Sequence, residues 1–128
     1  MTRDFDLIRK LLVFFDEKPG PELVESHDIH IGDEYTEAQI QYHLRLLDQA
    51  GLLVCEREKS ITSDRVIKVY PFDLTWEGHE FLAKIRSDTV WQKIKTSIAS
   101  QGVSLGFTVI NHLATNFASQ LATRLTTK

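Results

Sequence analysis

Five histidines, one cysteine and two glutamates spaced one helical turn apart are the residues of this chain that could do bond chemistry. His27 and His30 flank Asp28 closely enough to begin a zinc site, which would still need a third and fourth ligand such as His43. The sequence holds neither a Cys-x-x-Cys nor a His-Glu-x-x-His spacing, so no metal is expected and the histidines read as ordinary loop and helix residues. Cys55 falls in a strand-like run and reads as a small core residue rather than a nucleophile. A single cysteine also leaves no intramolecular disulfide. Glu77 and Glu80 have no base that can be named beside them. The glycines do not gather into a phosphate-cradling loop, and Trp76 and Trp91 read as large core plugs. Catalysis needs acid, base and nucleophile roles held together. These residues do not assemble them, so the chain is expected to be no enzyme, with no cofactor and no small-molecule ligand.

Recognition chemistry is better represented. A helix over residues 36–50 would present Gln39, Gln41, Tyr42 and Arg45 outward, and glutamine amides can pair with adenine while arginine pairs with guanine or phosphate. Arg57, Lys59 and Arg65 follow in a region that could reach a nucleic-acid backbone. The charge distribution opposes that use. The net charge is −3, and residues 1–50 carry eleven acids against five bases, while residues 51–128 carry seven against ten. Between Asp16 and Glu37 the one lysine or arginine is Lys18, and Asp33, Glu34 and Glu37 sit at the leading end of the candidate reading helix. Carboxylates there complement the helix dipole, yet they repel DNA, and a dedicated DNA binder carries a basic stripe.

The elements that position these groups follow from periodicity. Phe5, Ile8, Leu12 and Phe15 recur at helical spacing over residues 4–18, and Pro19-Gly20-Pro21 ends that helix. Residues 28–31 alternate polar and apolar side chains, which predicts a short edge strand. Thr36-Glu37-Ala38-Gln39 is a capping box opening a helix that buries Ile40, Leu44 and Leu47 and stops at Gly51. Residues 52–58 and 66–74 are rich in branched and aromatic side chains and predict a hairpin. Thr75 caps a helix whose apolar stripe is Trp76, Phe81, Leu82 and Ile85. Asp88 caps another over residues 89–100, and a last helix starts at Ser104.

Helix, strand, helix, hairpin, helix is the order of a winged helix. The expected fold class is therefore α+β, mainly α, with a winged-helix domain over residues 1–88 and a C-terminal helical extension over 89–128. Arg3-Asp4-Phe5-Asp6-Leu7-Ile8-Arg9, the helix beginning at Tyr35, the run from Leu74 to Leu82, and Asp88-Thr89-Val90-Trp91 together resemble the short bacterial and phage proteins grouped as domain of unknown function 2513. The resemblance covers nearly the whole chain. It implies a phage or mobile-element context and supplies no catalytic residues. Fold alone does not establish function.

The tail is uncharged from Thr96 to Thr123. Its many amides and hydroxyls argue against a membrane span, and Arg124 with Lys128 is too little basic charge for a surface-lying membrane helix. Val103, Phe107, Ile110, Ala114, Phe117 and Leu121 follow the 4-3-4-3-4 spacing of a two-helix seam. The tail is thus expected either to dock on its own chain or to pair two copies. Met1-Thr2-Arg3-Asp4 runs straight into the first amphipathic pattern, so no secretory leader is read there and a cytoplasmic address is expected. The sequence points to a protein-interaction module whose partner is another protein or a second copy. The alternative is a sequence-specific DNA-binding regulator using Gln39, Gln41, Tyr42, Arg45, Arg57, Lys59 and Arg65.

Overall fold

The computed structural model describes residues 1–101 and 106–126, without the side chains of Gln101, Phe107, Leu121, Ala122, Arg124, Leu125 and Thr126. The chain is α+β and mainly helical, with five α-helices and one two-stranded antiparallel sheet among the described residues. It divides into two units, Met1–His79 and Glu80–Lys128.

In the first unit, α1 (Phe5–Glu17) begins where the Asp4 carboxylate accepts the backbone N–H groups of Asp6 and Leu7, donors that no helical carbonyl can reach. Its Phe5, Leu7, Ile8, Leu11, Leu12 and Phe15 are buried. α2 (Glu37–Gln49) opens with the expected capping box. The Gln39 N–H donates to Thr36 Oγ1 at 3.1 Å, and Gln39 Oε1 accepts the Thr36 N–H at 2.8 Å. Ile40, Leu44 and Leu47 point inward, and α2 packs against α1 and the hairpin. Gly51, at φ 75°, takes the left-handed conformation that frees the chain to leave the helix. β1 (Leu53–Lys59) then pairs antiparallel with β2 (Val66–Leu74), setting Leu53 opposite Leu74 and Arg57 opposite Val69. α3 (Trp76–Ile85) starts after Thr75, whose Oγ1 accepts the Gly78 N–H at 3.0 Å and donates to the Gly51 carbonyl at 2.6 Å.

Two expectations fail in this unit. The strand expected over residues 28–31 is absent. Ser26–Asp28 is a 3-10 turn, and the Ile29 N–H closes back on the Ser26 carbonyl at 3.3 Å. Groups bonded this locally are not free to build a ladder, and Ile29 is buried without one. The strand-like contact comes earlier, where the Val24 N–H reaches the Pro71 carbonyl at 2.9 Å. Lys18 secures that segment. Its ammonium donates to the carbonyls of Gly20, Glu22 and Phe72 at 2.7, 2.7 and 3.1 Å, tying the chain after α1 to β2. The second failure is Trp76, which is no core plug: it is 74% exposed, whereas Trp91 is buried.

In the second unit, α4 (Asp88–Gln101) packs against α5 (Phe107–Thr126). Ser87, not Asp88, caps α4, its Oγ accepting the Val90 N–H at 3.3 Å. Trp91, Ile94, Ile98, Ile110 and Ala114 are buried, and Lys84 Nζ donates to Asn111 Oδ1 at 3.2 Å. Val103 and Ser104, where the tail seam and last helix were expected to begin, lie outside the described residues. No described helix is long and apolar enough to cross a membrane.

Candidate interaction surface

The residues that would read a nucleic acid are gathered on α2 and the hairpin, but several are bonded inside the unit. Gln41 is the clearest case. Its Oε1 accepts the Val69 N–H at 2.9 Å and its Nε2 donates to the Val69 carbonyl at 3.3 Å. A side-chain amide thus makes with β2 the pair of bonds that a neighbouring strand would make. Gln39 is engaged by its oxygen in the capping box. Arg57 grips Asp48 through two parallel bonds, Nε to Oδ2 at 2.7 Å and Nη2 to Oδ1 at 2.8 Å. The Asp48 side chain is only 6% exposed, so this bidentate pair answers a carboxylate that would otherwise be stranded.

Four candidates remain outward or half outward. Lys59 and Arg65 are exposed beside the hairpin loop. Tyr42 is half-buried, set edge-on to His43 with ring centroids 5.4 Å apart, and the Arg45 guanidinium lies 5.8 Å from its ring. Arg45 Nε is buried with no hydrogen-bond partner. Two other bases of this unit face acids: Lys10 meets Glu34 at 3.0 Å and Lys68 meets Glu25 at 3.3 Å. Each hydrogen bond raises the lysine's pKa and places a carboxylate beside it, which lowers its value to a polyanion.

The groups that could do bond chemistry fare no better. His43 is buried, taking the Asp4 N–H on Nε2 at 2.8 Å and meeting the Gln39 carbonyl with Nδ1 at 2.7 Å. An acceptor at one nitrogen and a donor at the other fix the neutral tautomer with its proton on Nδ1. His27 and His30 line a recess of about 290 Å³ with Ser26, Ile29, Asp33 and Glu37, where Ser26 Oγ donates to Glu37 Oε1 at 3.2 Å. Among the described residues no group of three or more His, Cys, Asp or Glu is placed to hold a metal ion. Burial, and then the charge of Asp48, push the Cys55 thiol up to about 12, so it stays protonated and is a poor nucleophile.

Apolar side chains are exposed where the hairpin meets α3. Trp76 and Val54, the latter 48% exposed, lie at this end, and Ile61 is fully exposed in the loop at the hairpin's other end. Asp73, opposite Val54 in the register, and Glu77, next to Trp76, give this end an acidic rim. In the tail, Ile110 and Ala114 of the candidate seam are already buried in a single chain, so they offer no free surface to a second copy. Phe117 is half-buried on a groove of about 640 Å³ lined mostly by α4. The Phe107 and Leu121 side chains lie outside the described residues.

A sequence profile described as "Hypothetical protein (DUF2513)" matches residues 2–104. An uncharacterized protein of Haemophilus influenzae is 34% identical over 124 residues, which is 94% of this chain and 98% of that relative. No solved structure matches the chain.

Proposed function

We propose a function for this chain, which belongs to the domain of unknown function 2513 family: it is a non-catalytic protein-interaction module built on a winged-helix scaffold. The order of helix, short turn, helix, hairpin and helix supports the scaffold. The observation that carries the reading is Gln41, whose amide is closed onto Val69 instead of facing outward. With Gln39 capping its own helix and Arg57 holding Asp48, α2 and the hairpin have spent much of their base-reading chemistry on the fold. The exposed Trp76 and Val54 at an acidic corner suit a protein surface better than a polyanion. The single Cys55 fits a cytoplasmic address, and its thiol, held protonated by burial, fits a role without bond chemistry. A phage or mobile-element setting is part of the same reading.

Duplex recognition would have to run on Tyr42, Arg45, Lys59 and Arg65. The test is fluorescence anisotropy of a labelled mixed-sequence duplex at low and physiological salt. The expected result is no binding tighter than about 100 µM even at low salt. Micromolar binding that weakens steeply as salt rises would overturn the reading in favour of DNA.

A further inference from the structure

The two edges of the hairpin are treated differently. Val69 directs its N–H and carbonyl to the Gln41 side chain, and the Pro71 carbonyl goes to Val24, so the outer edge of β2 is covered. In an antiparallel pair, residues opposite one another alternate between those bonded to each other and those whose polar groups point outward. Val69 and Pro71 point away from β1. Their partners Arg57 and Cys55 must therefore point their N–H and carbonyl groups away from β2. No strand lies beside β1 among the described residues, and no described backbone group bonds to that edge at Cys55 or Arg57. An open edge of this kind is a template for another strand.

We infer that the edge of β1 receives an extended segment of a partner protein that alternates apolar and basic residues. This deepens the interaction-module reading and rests on it. Side chains alternate along β1, with Arg57 turned to Asp48 of α2 and Val54, Glu56 and Glu58 exposed. Glu58 accepts the Tyr70 hydroxyl at 2.8 Å from the neighbouring strand, which fixes it on the outward face. A strand laid against β1 thus meets Val54, Glu56 and Glu58 in its cross-strand positions. Basic side chains at every second position match Glu56 and Glu58 on that face, and acidic ones oppose them. The apolar residues between fall on the opposite face, alongside Leu53 and Cys55. The same charges oppose a second copy in two of its antiparallel registers. Antiparallel pairing of β1 with itself about Arg57 would set Glu56 against Glu58, and pairing about Glu56 would set that carboxylate against its own copy. Charged residues on an edge commonly block indiscriminate pairing; here they select a basic strand.

The probe is a labelled peptide of alternating valine and lysine, compared with its valine–glutamate counterpart, on the whole chain. Anisotropy reads the affinity and amide hydrogen exchange reads the edge. The lysine peptide is expected to bind, to slow exchange at the Cys55 and Arg57 N–H groups, and to lose about fivefold in affinity on Glu56→Lys. The glutamate peptide is expected to bind more weakly to the unaltered chain and to gain on the variant. Glu56 is exposed, so the variant tests charge without disturbing the core. Equal binding of both peptides, binding without protection of those two amides, or no binding would each overturn the assignment. Protection that instead grows with protein concentration in the absence of peptide would overturn it in favour of a second copy. None of these failures touches the duplex test, so the broader reading stands or falls separately.

Discussion

Replacing Gly78 by alanine is expected to destabilise the chain by about 3 kcal/mol, although the same exchange inside an ordinary helix gains up to about 1 kcal/mol. A Cβ at this position would overlap the Leu52 carbonyl oxygen and come within 3.1 Å of its carbon and 3.3 Å of Leu74 Cβ. The oxygen cannot withdraw cheaply, because it accepts the Thr75 N–H at 3.1 Å and so holds the hairpin's end against the start of α3. Gly51→Ala is the control. Nothing lies within 4 Å of its would-be Cβ, and only the left-handed backbone, φ 75°, resists, at about 1 kcal/mol. Denaturant midpoints of the two variants check the contrast. Equal, small shifts would mean that α3 does not approach Leu52 as closely as described.

His43→Phe is expected to cost about 2 kcal/mol, chiefly by stranding the Asp4 N–H. The imidazole is 1% exposed and joins α2 to the first residue ahead of α1 through Asp4. Phenylalanine keeps most of the volume and loses both polar contacts. Asp4→Ala removes the cap of α1 and should cost about 1 kcal/mol. Because the same residue offers the N–H to His43 and the carboxylate to the helix, the double variant should lose less than the two single losses together. Strict additivity in a double-mutant cycle, measured by denaturant unfolding, would mean that the two contacts do not form one joint.

What was legible in the sequence was what is decided locally. The Thr36–Gln39 capping box, the turn at Gly51 and the two strands follow from residues a few positions apart, and each is where its pattern places it. The exposure of Trp76 has a physical reason. At about 100° per residue, Trp76 lies on the side of α3 opposite Ile85, and the buried stripe is Gly78, Phe81, Leu82 and Ile85. A glycine has no side chain to register as apolar, so in the sequence the stripe reads as starting at the tryptophan when it starts at Gly78. The alternation at residues 28–31 was too short to outweigh a 3-10 turn that also buries Ile29.

The candidate site was less legible, because its outcome depends on residues far apart in the chain. Nothing near Gln41 announces that Val69, twenty-eight positions away, will take both ends of its amide. The Asp48–Arg57 pair left a fainter trace, since a turn at Gly51 must bring the last turn of α2 back towards β1. The seam spacing in the tail counted apolar positions correctly, but spacing cannot say whether a stripe meets its own chain or another. Ile110 and Ala114 are buried within one chain.

The proposed function depends most on Gln41, whose amide is bound to β2 instead of facing outward to a base. The most direct measurement is the nitrogen–proton spectrum of isotope-labelled protein, following the Gln41 side-chain NH₂ as duplex DNA is added. The expected result is two well-separated proton signals, one shifted by its bond to the Val69 carbonyl, neither of which moves with DNA. A degenerate, solvent-like NH₂ pair that shifts as duplex is added would contradict it and return α2 to the role of a DNA reader.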